Sequence, residues 1–90
     1  MFTYKSNNMK EQDLIDLGFK RKDIIEEESG DRAFFYFTYN ITDELCLISI
    51  DSDEAEKNGW YVELFDYENI EIRNLEDLKT LISIIERNKL

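Results

Sequence analysis

The chain has 90 residues, with 21 acids against 11 bases, no histidine, no proline and one cysteine. That length bounds it to one domain. A single thiol without histidine excludes an intramolecular disulfide and the usual zinc sites, and a net charge of −10 argues against direct binding to nucleic acid or anionic lipid, whose phosphates need Lys and Arg.

The charge is regional. Residues 43–77 hold twelve acids and two bases, Lys57 and Arg73, so this stretch alone carries −10. A regional field steers binding toward a basic partner. Apolar residues make up 42% of the chain and aromatics 13%, enough for a packed core. The lone cysteine fits a reducing compartment, so a cytoplasmic location is expected. Met1–Asn8 holds one lysine and no apolar run, so no secretory leader is expected, and no segment is apolar enough to span a membrane.

In chain order, residues 1–8 read as an N-terminal arm before a single domain over 9–90. Asn8 and Glu11 have capping-box spacing. Met9, Leu14, Ile15 and Leu17 then predict a short amphipathic helix over about 9–17. Gly18 is a natural residue to close it, with Phe19 folding back. Lys20–Glu28 reads as a charged edge strand and Ser29-Gly30-Asp31 as a hairpin turn. Ala33–Tyr39 is the clearest strand. Aromatics fill both of its alternation classes, so both faces are expected to be covered. A third strand is predicted over Glu44–Ile50, a polar loop over Asp51–Gly59 and a fourth strand over Trp60–Tyr67. Ile70 and Ile72 alternate with Glu71 and Arg73, which fits a fifth strand or an extension of the fourth. Asn74 caps a last helix whose stripe is Leu75, Leu78, Leu81, Ile82 and Ile85.

The expected class is therefore α+β. An antiparallel meander of four to five strands is flanked by a short N-terminal helix and a longer C-terminal one, in the order α-β-β-β-β-α. The C-terminal helix should cover one face of the sheet and the N-terminal helix part of the other. Tyr36, Tyr61, Tyr67, Phe34 and Phe65 would then share that second, partly covered face.

No motif carries catalytic chemistry. Asp51-Ser52-Asp53-Glu54-Ala55-Glu56 begins like a calcium loop, but Ala55, Glu56 and Val62 stand where an EF-hand needs Asp or Asn, Gly and Glu. Adjacent acids such as Glu26–Glu28 read as a solvated face, paired with the basic cluster Lys20-Arg21-Lys22. Cys46 alternates with Leu45 and Leu47 and has no histidine to activate it, so it reads as a packed thiol. The three glycines are isolated turn residues, and neither phosphate-loop fingerprint is present. An enzyme is not expected, and no cofactor or metal.

Asp13-Leu14-Ile15-Asp16-Leu17-Gly18-Phe19, Trp60-Tyr61-Val62-Glu63 and Asn74-Leu75-Glu76-Asp77-Leu78-Lys79 give the chain a layout that resembles small acidic proteins of bacteria, phages and prophages. That size class includes anti-CRISPR-like and anti-restriction inhibitors. The resemblance implies action by binding another protein and carries over no residue by position. The function expected is a protein-binding antagonist, acting as a nucleic-acid mimic on a basic nucleic-acid-binding surface of a host defence protein. Asp51, Asp53, Glu54, Glu56, Glu63, Asp66, Glu68 and Glu71 would replace phosphates, and Trp60, Tyr61 or Tyr67 would supply apolar anchors. The alternatives are an immunity or antitoxin-like protein that neutralises a basic toxin, and a self-associating module whose aromatic face forms a homodimer.

Overall fold

The computed structural model describes residues 9–90. The capping role expected of Asn8 and the arm over 1–8 lie outside the described residues. Five strands form one antiparallel sheet in strict chain order: β1 Lys20–Ile24, β2 Phe34–Asn40, β3 Cys46–Ser49, β4 Val62–Leu64 and β5 Tyr67–Ile72. The helices are α1 Glu11–Asp16, α2 Glu26–Ser29, α3 Ser52–Asn58 and α4 Leu75–Arg87. The α+β meander with a helix at each end is the expected class, and the fifth strand is a strand in its own right.

Helix α1 starts at Lys10, whose N–H donates to the Asp13 carboxylate at 2.9 Å. It closes in a Schellman pattern: Phe19 N–H donates to Leu14 O and Gly18 N–H to Ile15 O, both at 3.0 Å. Gly18 has φ +99°, a left-handed value that glycine adopts freely. Asn74 caps α4 as expected, its Oδ1 accepting from Asp77 N–H at 3.1 Å. Leu78 and Ile82 of α4 are buried.

Three boundaries differ from expectation. The strand expected over Lys20–Glu28 stops at Ile24, because Ile24 already faces Phe34, the first residue of its partner. The three glutamates that follow turn into α2 instead, where acids at a helix start are favoured. The polar loop over Asp51–Gly59 is helix α3. Asp51 Oδ1 accepts from Glu54 N–H at 2.8 Å and Gly59 ends the helix at φ +83°. The strand expected over Trp60–Tyr67 is interrupted at Phe65-Asp66, where Asp66 takes φ +72° and reverses the chain, so that Tyr67 opens β5. A bulge follows. From Glu63↔Glu71 to Leu64↔Tyr67, β4 advances by one residue while β5 takes up several.

The layering also differs. Residues directly opposite one another share a sheet face, so Phe37, Tyr39, Leu47, Leu64 and Val62 line one side. The core cluster joins Phe37, Leu47 and Val62 to Leu14 of α1 and to Leu78 and Ile82 of α4. Both helices therefore pack on the same side. Trp60 belongs to that side too, its ring 5.5 Å from Phe37 and 6.0 Å from Phe35. Helix α3 adds Ala55, buried beside Phe35, Trp60 and Glu11. No described helix packs on the other face, contrary to the expectation that α1 would. A core large enough to take both helices sits on the Phe37 side, since the opposite class, Phe34, Tyr36 and Thr38, alternates with it residue by residue.

Candidate protein-docking surfaces

In an antiparallel meander alternate connections emerge at the same end of the sheet. The β1–β2 connection, carrying α2, and the β3–β4 connection, carrying α3, are therefore neighbours. Arg32 Nε donates to Asp53 Oδ2 at 3.1 Å and ties the two together. Asp53 holds the Arg32 guanidinium charged, raising its pKa first by that hydrogen bond and then by its charge. Between the connections lies an open cleft of about 280 Å³, lined by Asp31, Arg32, Asp51, Asp53, Glu54 and Lys57 among others. Together, residues 25–33 and 51–59 hold eight carboxylates and two cations, Arg32 and Lys57.

This end gathers Asp51, Asp53, Glu54 and Glu56 from the expected set. It adds Glu26, Glu27 and Glu28, which sequence reasoning assigned to a local pairing with the basic cluster, and Asp31, which it placed in a hairpin turn. That pairing does not form. Arg21 instead reaches Asp23 at 2.9 Å and Glu11 at 4.0 Å, and stacks 3.7 Å above the Phe35 ring. The signal that unites the two acidic runs is the meander itself, since Asp31 and Asp51, their nearest acids, lie 20 positions apart in the chain.

The other expected residues fall elsewhere. Asp66 sits in the β4–β5 turn, at the opposite end of the sheet, with the exposed Phe65 and Tyr67 beside it. Glu68 lies in β5. Glu63 and Glu71 face each other across β4 and β5 on the face without a described helix. Glu71 Oε1 accepts from Arg73 at 2.9 Å, and the Arg73 guanidinium lies 4.0 Å from the centre of the Tyr61 ring. Tyr61 is buried there. Its pKa is raised by burial first and then by the charges of Glu71 and Glu63. Of the three expected anchors, then, Trp60 packs in the helix-side core, Tyr61 lies under Arg73, and Tyr67 is 54% exposed.

The face without a described helix reads, across the strands, Lys20, Thr38, Ile48, Glu63, Glu71 as one row of directly opposed residues. One step along, Lys22 faces Tyr36. Cys46 shares this face and is half-buried. Phe34, Tyr36, Cys46 and Ile48 make its centre apolar, where a solvated face of such a sheet would alternate to polar.

Among the described residues no grouping of three or more Cys, Asp or Glu could hold a metal ion, and no helix is long and apolar enough to cross a membrane. No family model, curated protein or solved structure matches the chain.

Proposed function

We propose that the chain is a small protein-binding antagonist that docks its acidic end on a basic, nucleic-acid-binding surface of another protein and so excludes the nucleic acid. The observation that carries this reading is the abutment of two acid-rich connections at one end of the sheet, bridged by Arg32 and Asp53. Carboxylates held on two short helical turns can stand in for successive phosphates, and complementary charge raises the association rate. The contact set is Glu26, Glu27, Asp31, Asp53, Glu54 and Glu56, with Asp66 at the far end outside it. An immunity protein against a basic nuclease would use the same contact. The two differ in whether the captured partner is a defence protein or a toxin.

The test is an affinity pull-down from host lysate at low and high salt, read by mass spectrometry. A variant with Glu26→Gln, Glu27→Gln, Glu54→Gln and Glu56→Gln is run beside the parent. The expected result is a basic nucleic-acid-binding protein captured at low salt, released by added nucleic acid, and missed by the variant. A partner retained equally by the variant, or one that keeps its nucleic acid while bound, overturns the reading.

A further inference from the structure

Of the large apolar side chains exposed among the described residues, Ile25 alone lies in the two acid-rich connections, and it is 51% exposed. Its position is a costly one for isoleucine. Ile25 is the N-cap of α2, where Ser, Thr, Asp and Asn are favoured and isoleucine is among the poorest choices. Helix α2 buries no residue, so no core packing of the helix offsets that choice. A local rule broken without a gain in packing points to a functional position.

The surroundings of Ile25 say what it meets. The register of β1 with β2 ends at Ile24↔Phe34. Ile25 and Ala33 come next on either side, and they are the apolar lining of a shallow hollow completed by Glu26, Glu27, Gly30 and Asp31. Gly30, at φ +75°, has nothing within 4 Å of where a Cβ would stand, so that side is open. Asp31 also lines the cleft of Arg32 and Asp53, which makes the two hollows neighbours. Arg32 is held there by Asp53 at 3.1 Å. Among the described residues no base forms an ion pair with Glu26, Glu27 or Asp31. An apolar patch is thus ringed by three uncompensated carboxylates.

From this we infer that the hollow takes a lysine or arginine side chain of a basic partner, its aliphatic stem on Ile25 and Ala33 and its charged head among Glu26, Glu27 and Asp31. A long basic side chain brings both parts at once, methylenes that gain by leaving water and a cation that offsets the acids. The three carboxylates repel an anion. An uncharged apolar side chain would desolvate them with no partner in return. The inference rests on the docking surface proposed above and adds how that surface holds on: its acids hasten arrival, and the stem contact slows departure.

Two peptides test it without any captured protein. Octalysine and the octamer of 2,4-diaminobutyrate carry the same charge at about pH 6, but each side chain of the second is shorter by two methylenes. Both are titrated at low salt into the isotope-labelled chain and followed by its amide resonances. The parent should bind octalysine at least about threefold more tightly than the shorter peptide, with the Gly30 and Asp31 amides shifting. Ile25→Ser should bind both peptides alike, at the parent's affinity for the shorter one. That variant keeps its fold, because serine is the better cap. Glu26→Gln with Glu27→Gln should weaken both peptides in the same proportion. Equal affinities in the parent, a preference that survives Ile25→Ser, shifts confined to other parts of the chain, or no binding of octalysine overturns the inference. A lysate that yields no nucleic-acid-binding partner counts against the antagonist reading alone, since the peptide preference is measured without one.

Discussion

Ser49 is 6% exposed, the one polar side chain among the buried residues described. Its hydroxyl accepts the Phe37 N–H at 2.8 Å and donates to Ile50 O at 2.9 Å. Three residues on, the Ser52 hydroxyl accepts the Phe35 N–H at 3.1 Å. The pairing of β2 with β3 stops at Thr38↔Ile48, and these two hydroxyls serve the β2 amides beyond it, where the chain leaves the sheet to enter α3. Ser49→Ala would strand a buried amide, which costs about 1–3 kcal/mol. Ser52→Ala should cost less, since the Phe35 amide is only part-buried. Urea unfolding of the two variants checks the order. A Ser49→Ala chain as stable as the parent would mean that the Phe37 amide has another partner. Nothing in the sequence marks these serines, because a serine at the end of a strand is ordinarily a turn residue.

A polar contact fastens helix α4 to β2: the Tyr39 hydroxyl donates to Glu86 Oε2. Lys89 holds the same carboxylate at 3.0 Å. Burial first, and then this bond, pushes the Tyr39 pKa up to about 12. Glu86 is lowered, chiefly by Tyr39 and then by Lys89. The raised tyrosine contributes stability that is complete below pH 10, the ordinary tyrosine value, and is lost as the pH climbs toward 12. The depressed carboxylate contributes above its ordinary pKa and loses that contribution as the pH falls through its lowered one. Tyr39→Phe should therefore lose less stability between pH 10 and 12 than the parent does, with Tyr61 leaving some alkaline dependence, and should cost roughly 1 kcal/mol near neutrality. Denaturant titrations across that range decide it, and parallel curves for parent and variant would dismiss the contact. Local signals of this kind were readable in part. The Gly18 closure of α1, the Asn74 cap and the stripe of α4 follow from spacing alone. Helix α3 did not, because it has a single buried residue, Ala55, and its acids read as loop. The β4–β5 turn was hidden because Asp66 makes it without glycine or proline, by taking a left-handed conformation that aspartate tolerates better than most residues.

The arrangement of layers could not be read from periodicity. Alternation in β2 shows that Phe34 and Tyr36 oppose Phe35 and Phe37, but not that every described helix with a buried residue settles on the Phe37 side. The extents of 40 × 38 × 24 Å fit one sheet and one helix layer. The acidic end was likewise half legible, since Asp51–Glu56 stands out in the chain while its neighbour Glu26–Asp31 joins it only through the strand order. That strict order also governs time. Each strand pairs only with its sequence neighbours, whereas Tyr39 and Glu86 must find each other across 47 residues. Hairpins close within microseconds and distant contacts cost more chain entropy, so the sheet around Leu47 should be organised in the rate-limiting state and α4 should dock after it. Leu47→Val would then slow refolding, while Leu78→Val, also at a fully buried position, would leave refolding nearly unchanged and hasten unfolding. Stopped-flow chevrons of the two variants separate these cases, and refolding slowed by Leu78→Val would put α4 in the nucleus. A late-docking α4 also means that the newly formed sheet briefly presents both its faces to water, and the shielding of the Leu47 side then depends on how soon the C-terminal helix arrives.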